Sequence, residues 1–410
     1  MRGRQASLTF ILITLFVDMF GVGLVYPILP SLIEGFVGND VAGASYIYGA
    51  LAAVYALMQF VAAPILGALS DQYGRRPIIL LALVGLGIDY LILAAAPGLW
   101  WFVAGRIIAG IMGATYTAAG AYIADISPPE KRAQNFGLIG AAFGFGFIAG
   151  PLVGGLLGAV SLRLPFLLAA GLALANFLFG LLVLPESLPL ERRRQFKLTQ
   201  ANPIGAVKSL ARYPLLGAFL GIFVVVTLAA RVAESIWVLY TAYRYGWGTA
   251  ETGLSLAAVG VLHAIAQGGL VRIVIGRLGE RRAIVFGLLI SAVTSFLFAF
   301  ASQGWMVYAI LVIEALGWTI GAPALQGLMS RAVPPDEQGL LQGALGSVNS
   351  ATSIIGPLVW TGLFAFFISA NSPVQLPGIS FLVGGVIFVV ALLLAMRAFA
   401  RPASAEGASA

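Results

Sequence analysis

The chain has 410 residues, 60% of them hydrophobic and only 10% charged, where an ordinary soluble domain carries roughly 25% charged residues. Its mean hydropathy is +0.98, which excludes a soluble enzyme and describes a membrane protein. With no cysteine and a single histidine, a disulfide framework, thiol catalysis and a multi-histidine metal centre are excluded too.

A membrane-crossing helix needs about 20 mostly apolar residues, and the apolar runs here are continuous, without the two-residue alternation of an outer-membrane barrel. Twelve spans are predicted, all helical because lipid offers no partner to backbone N–H and C=O groups. The first, 7–33, begins near Ser7 and passes Leu29 without a small-residue cleavage site, so it is expected to be retained. It carries Asp18, followed by Gly21, Gly23, Pro27 and Pro30, which allow the helix to bend and turn the carboxylate inward. The second, 46–69, carries Gln59 and leads into GALSDQYGRRP, Gly67 to Pro77. In that loop the glycines Gly67 and Gly74 permit a tight turn, and Asp71 stands within reach of Arg75 or Arg76.

The third span, 78–96, holds Asp89; the fourth, 99–125, holds Arg106 and ends on Asp125, a second partner for those arginines. In the fifth, 135–159, Gly144, Gly146, Gly150, Gly154 and Gly155 form a small face that admits a close neighbour, and Pro151 adds a kink. The sixth is 164–185. After it, 186–213 is polar, basic and punctuated by Pro189 and Pro203, and is predicted to link two half-domains, 1–185 and 214–400. The seventh span, 214–243, carries Arg231, Glu234 and Trp237; the eighth, 250–272, carries His263 and Gln267. The ninth to twelfth are 283–301, 304–328 with Glu314, 339–369 and 376–398, and a short tail follows at 401–410.

The formal charge of +7 would suit nucleic acid, but the placement of the cations marks topology instead. Of the 23 Lys and Arg, 19 fall on the side of the two termini, only Arg163 and Arg244 fall opposite, and Arg106 and Arg231 lie inside spans. By the positive-inside rule both termini are expected to be cytoplasmic. The halves also repeat. Pro128-Pro129-Glu130 precedes Gly150-Pro151 by the same spacing as Pro334-Pro335-Asp336 precedes Gly356-Pro357, and an offset of 206 carries Pro129 onto Pro335, Arg76 onto Arg282 and Ile78 onto Ile284. Duplicated six-span bundles of this kind bind substrate near the midplane and alternate access about it.

Charges inside spans are the sharpest functional signal, because each costs about 2.5–3.5 kcal/mol on insertion scales. Asp18 and Asp89 are candidate sites for a proton or a cation. Arg106 is placed to tune a neighbouring carboxylate. Arg231 and Glu234, three apart on one helical face, either neutralise each other or serve transport. Glu314 has no charged neighbour in its own span, so its partner comes from another helix, the substrate or a proton. A cluster of Asp71, Arg75, Arg76 and Asp125 is either a solvated loop that obeys the positive-inside rule or, as expected here, the bistable latch that alternating access requires.

Several stretches also carry a family resemblance. GALSDQYGRRP resembles the signature loop of the major facilitator superfamily, with a degraded copy in GRLGERRAI, Gly276 to Ile284. Arg106 and GFIAGPLVGG, Gly146 to Gly155, resemble the drug:proton antiporter signatures of that superfamily. More narrowly, DMFGVGLVYPILP, YALMQFVAAPILGALSDQYGRRP, GAYIADI, SLAAVGVLHAIAQ and PALQGLMSR resemble the proton-coupled tetracycline efflux pumps of Gram-negative type. The resemblance implies an all-α, twelve-helix fold in two pseudo-repeats, seated in a bacterial inner membrane.

It implies, further, an exchange of protons for tetracycline carried as its divalent-metal (Mg2+) chelate, a monocation suited to Asp18 and Asp89, with no cofactor of the protein's own. Proton coupling is expected at Asp18, Asp89, His263, Glu314 and Glu234, and substrate binding at Asp18, Gln59, Asp89, Arg106, Trp237, His263 and Gln267. Gating is expected at Gly67, Asp71, Gly74, Arg75, Arg76, Asp125, Gly150 and Pro151. In the pumps, the equivalent of His263 works with an acid in the next span. The position matching that acid here is Ser291, whereas Arg231, Glu234 and Glu314 match uncharged positions. Efflux of other cationic or amphipathic drugs, a proton-coupled uptake symport and a non-transporting receptor stay open. The chain holds no GxxxxGK[ST] phosphate loop, so ATP-driven transport is not expected. Expected partners are a small-molecule drug, protons and the bilayer; no nucleic acid is expected, and a monomer suffices.

Overall fold

The structure, a computed structural model, describes residues 2–113, 116–194, 214–334 and 337–400. Most of the linker, with Lys197, Pro203, Lys208 and Arg212, lies outside the described residues, as do Pro335, Asp336 and the tail 401–410. Among the described residues the fold is helical throughout, with no strand, and twelve segments are long and apolar enough to cross a membrane.

In chain order the helices are α1 (Arg2–Val25), α2 (Leu29–Phe36), α3 (Val41–Tyr73), α4 (Arg75–Ala95), α5 (Leu99–Gly113), α6 (Tyr116–Ile126), α7 (Pro129–Val160) and α8 (Leu164–Val183). They continue as α9 (Pro214–Tyr245), α10 (Thr249–Ile265), a π-helical turn (Ala266–Leu270), α11 (Val271–Leu278), α12 (Glu280–Phe300), α13 (Gly304–Arg331), α14 (Gln338–Ile368) and α15 (Ile379–Ala400).

Two departures from the predicted spans have local causes. The first span breaks at Tyr26–Ile28, where Pro27 lacks an N–H and Pro30 takes a first-turn position of α2. The eighth is interrupted by the π-helical turn, which contains Gly268 and Gly269. Several helices also outrun the predicted ends. The 33 residues of α3 span about 50 Å, beyond the roughly 30 Å of hydrocarbon.

α3 stops only at Gly74, whose φ of +106° and ψ of 159° suit glycine alone, and α11 stops the same way at Gly279, φ +73° and ψ 162°. The helices that follow, α4 and α12, have 21 residues each. Gly74 and Gly279 are 205 positions apart, so helix boundaries pair Arg76 with Arg281, one residue short of the pairing with Arg282 read from the sequence. α4 ends before Pro97, and Arg163 donates to the carbonyls of Leu93, Ala94 and Ala96, satisfying its last turn.

Contacts divide the chain into two compact units: Met1–Ala201 with Thr241–Gly260, and Asn202–Tyr240 with Val261–Ala410. Residues 241–260, which the sequence assigns to the second half, thus cluster with the first. There the Thr249 hydroxyl donates to the Gly155 carbonyl at 3.0 Å. A Cβ on Gly155 would also stand 3.0 Å from Gly253 Cα, so only glycine allows that approach.

In the first unit, α7 packs along α1. A Cβ on Gly146 would stand 2.9 Å from the Phe16 carbonyl oxygen, and one on Gly150 would stand 2.7 Å from that of Phe20 and 2.8 Å from Gly23 Cα. Gly144, read as part of this small face, has open space instead. The core beside it gathers Phe10, Ile11, Leu15, Ile79, Tyr122 and Ile123.

In the second unit, α9, α12, α13, α14 and α15 share a core that includes Phe223, Ile284, Ile320, Leu345 and Phe388. The Trp360 indole donates to the Leu228 carbonyl at 3.0 Å, and the Tyr240 hydroxyl to that of Phe298 at 2.6 Å. α12 and α13 cross where a Cβ on Gly287 would stand 2.6 Å from Gly321 Cα.

Candidate functional site

Three groups of the sequence-predicted residues assemble, two within membrane spans and one at a loop. In the first unit Asp89 of α4 is fully buried, and neither carboxylate oxygen has a hydrogen-bond partner. The opposite charge acting on it is Arg106 of α5. Arg106 lies over the Tyr55 ring of α3, its Cζ 5.7 Å from the ring centroid. The Tyr55 side chain is hydrogen-bonded to Gln59, one turn on, and lies within electrostatic reach of Arg106, Asp18 and Asp89. Tyr90 feels the same charges and is buried, with Gly21 of α1 beside its hydroxyl. Asp18, Gln59, Asp89 and Arg106 therefore come together, on four helices.

The reason is local as well as tertiary. Gly105 and Gly110 allow α5 to approach: a Cβ on Gly105 would stand 2.8 Å from Asp89 Oδ1, and one on Gly110 would stand 2.6 Å from the Tyr55 carbonyl oxygen. A buried carboxylate beside a half-buried guanidinium, with no hydrogen bond between them, leaves polar capacity unused, which is the condition for taking a charged or hydrogen-bonding guest.

The second unit brings His263 and Glu314 together. His263 Nε2 lies 2.9 Å from Glu314 Oε2, both side chains partly buried. The partner of Glu314 is thus a histidine from another helix. Gln267, four residues on, is exposed within the π-helical turn; such turns recur at functional positions of long helices. Arg231 donates to Glu234 on the same helix, its stem packed on Gly356, while the Glu234 side chain is 62% exposed.

Ser291 is buried where α12 meets α13, its hydroxyl 2.9 Å from where a Cβ on Gly317 would sit. Trp237 is also buried, 4% exposed, and set edge-on to Phe298 with ring centroids 5.4 Å apart. Trp237 therefore packs against an aromatic side chain of its own unit.

At the loop between α3 and α4, Arg75 pairs with Asp71 at 2.5 Å and with Asp125 at 3.3 Å, and donates to Ser70 Oγ at 2.6 Å. Arg76 turns away and donates to the Leu181 carbonyl. Gly67 accepts from the Ser70 hydroxyl. Gly150 and Pro151 stand apart from this loop, in α7, where Gly150 meets α1 and Pro151 meets Gly23 and Gly253.

Sequence reasoning passed over Tyr55 and Tyr90. Tyr55 carried a signal, since it precedes Gln59 by four residues and so shares its helical face. Tyr90 carried none, because what it touches is set by other helices.

A model of the Major Facilitator Superfamily matches residues 11–357 and 235–410. The chain is 44% identical over 386 residues to the class C tetracycline resistance protein of Escherichia coli, covering 94% of this chain and 95% of that protein. It is 40% identical to the class G protein of Vibrio anguillarum, at 97% and 98% coverage, and 35% identical to the class B protein of Escherichia coli, at 97% of both. Among solved structures, a bacterial homologue of the human lysosomal transporter Spinster, in an inward-facing and unoccupied conformation, superposes with a TM-score of 0.78 at 17% identity and 97% coverage of both chains. The nucleoside transporter NupG does so at 0.78 and 13%, covering 98% of this chain and all of its own. These two likenesses speak for the fold alone.

Twelve apolar helices with charged clusters in their interior define a multi-pass membrane transporter. The chain belongs to the Major Facilitator Superfamily.

Proposed function

We propose that this protein exports a tetracycline-type antibiotic, as its divalent-metal chelate, in exchange for protons across a bacterial inner membrane, with both termini cytoplasmic. The observation that carries the reading is the fully buried Asp89 with no hydrogen bond to either oxygen, in a chain 44% identical to a tetracycline resistance protein. The metal is cargo. A chelate bearing one positive charge is attracted by Asp18 and Asp89, while Arg106 offsets one of their two negative charges when the site is empty. Tyr55 and Gln59 add hydrogen-bonding groups for an oxygen-rich ligand.

Protons enter through competition. A carboxylate that binds the cation when ionised releases it when protonated, so the proton-rich side favours release and the proton-poor side favours loading. His263 and Glu314, with Nε2 2.9 Å from Oε2, form the second proton site, which alternating access exposes to the two faces in turn. Glu314 thereby does from the tenth span what an acid at position 291 does in the similar pumps. The Asp71–Arg75–Asp125 cluster is the latch.

The test is tetracycline susceptibility of a pump-deficient host expressing the parent, Asp18→Asn or Glu314→Gln. The parent is expected to raise the inhibitory concentration at least about tenfold and each variant to lose most of that gain. Full resistance in both variants contradicts the assignment. The exposed Glu234 favours a second reading, an exporter of other amphipathic cations, which resistance to lipophilic cations without resistance to tetracycline would support.

A further inference from the structure

We propose that Glu186 is a positioning residue of the latch, and that the first residues of the inter-domain linker form a clasp through which the linker holds that latch shut. This rests on the reading of the Arg75 cluster as a gate.

The need arises from the start of α4. Its first two residues are Arg75 and Arg76, cations at the end of a helix where unpaired N–H groups and the macrodipole favour an anion. The pseudo-repeat solves this within its own helix: α12 begins with Glu280, which pairs with Arg331. At the equivalent position α4 has Arg75, and the anion comes from elsewhere.

Glu186 supplies it, 111 residues along the chain. Its Oε1 accepts from the Arg75 N–H at 2.9 Å, and its Oε2 from that of Arg76 at 3.3 Å. Oε1 also accepts from the N–H groups of Ser187 and Leu188, at 2.9 and 3.0 Å, which fixes the carboxylate relative to its own segment. Arg193 Nη2 stands 3.9 Å from Oε2. Gly74 is part of the fit, since a Cβ there would come within 2.7 Å of Glu186 Cδ.

The rest of the segment follows. The Ser187 hydroxyl donates to Asp125 Oδ2 at 3.1 Å, the oxygen that also takes Arg75 Nε. The Tyr122 hydroxyl donates to the Pro185 carbonyl at 2.9 Å, and the Arg194 N–H to the Asp71 carbonyl at 3.1 Å. The segment 185–194 thus holds Asp125 through its carboxylate and Asp71 through its backbone carbonyl, while both carboxylates pair with Arg75. A pull on the linker is transmitted to Arg75 through the N–H groups that Glu186 holds.

The absence of cysteine gives a direct readout. Ser70 is fully buried beneath Arg75, so a single Ser70→Cys is shielded while the latch is shut. Maleimide labelling of this one thiol is followed in membranes holding the full chain, in the parental background, in E186Q and in E186D. E186Q turns one of the two acceptors into a donor facing an N–H. It is expected to speed labelling about tenfold, with E186D between it and the parent. Labelling in E186Q within twofold of the parental rate overturns the proposal, as does a loss of folded yield with no change in labelling of the folded protein. Should E186Q not accumulate, E186D decides alone: at least a threefold rise is expected, and the parental rate overturns it. No substrate is present, so this outcome is independent of whether tetracycline is the cargo.

Discussion

Asp89 and Arg106 show what a transport site asks of single residues. A buried carboxylate left without a nearby opposite charge is costly, whereas removing both charges is often close to neutral. Arg106→Ala is therefore expected to lower the melting temperature of the purified protein well below that of the double variant Asp89→Asn/Arg106→Gln, as followed by thermal unfolding in detergent. A double variant at least as unstable as Arg106→Ala contradicts the pairing. At this scale the sequence was informative wherever charge stood inside an apolar run: Asp18, Asp89, Arg106, His263 and Glu314 were all visible because lipid penalises them. It was silent on Tyr90 and Glu186, which look ordinary along the chain and acquire their partners only through tertiary return.

Among the elements, α7 and the α3–α4 turn depend most on backbone approach. A side chain at Gly150 has to displace the Phe20 carbonyl and Gly23, and overpacking of this kind costs typically about 1–3 kcal/mol. Gly150→Val is expected to lower thermal stability by that order, while Gly144→Ala, which meets open space, leaves it unchanged; equal effects contradict the packing of α7 on α1. The two turn glycines provide an internal control. Both Gly74→Ala and Gly279→Ala pay for a backbone that suits glycine, on the order of 1–3 kcal/mol, but only Gly74→Ala also collides with Glu186. Thermal unfolding is expected to rank Gly74→Ala as the more damaging, and the reverse order contradicts the fit of Glu186 against the turn.

Helix existence and order were readable because an apolar run of this length has one solution in lipid. Helix ends were not: α3, α7 and α13 run on past the hydrocarbon into polar residues, and the break at Tyr26–Ile28 and the π-helical turn depend on backbone detail that hydropathy averages away. The one-residue difference between the sequence repeat and the repeat of helix boundaries has the same origin, because the turn glycine, and not the arginine pair, ends the helix.

For the molecule as a whole, the central claim is that ionisable groups inside the spans bind protons and cargo in competition. Charged pairs that merely hold helices together would give the same fold, the same stability effects and the same family membership. Only coupled flux separates the two roles. The decisive measurement is proton movement in sealed proteoliposomes of the full-length protein, read with an internal pH dye, when tetracycline and Mg2+ are added on one side without any imposed gradient. Substrate-dependent proton release is expected from the parent, to be reduced at least about tenfold in Asp89→Asn and in Glu314→Gln, with folded protein confirmed in each. Tetracycline flux without proton movement in the parent, or undiminished coupling in both variants, would contradict it.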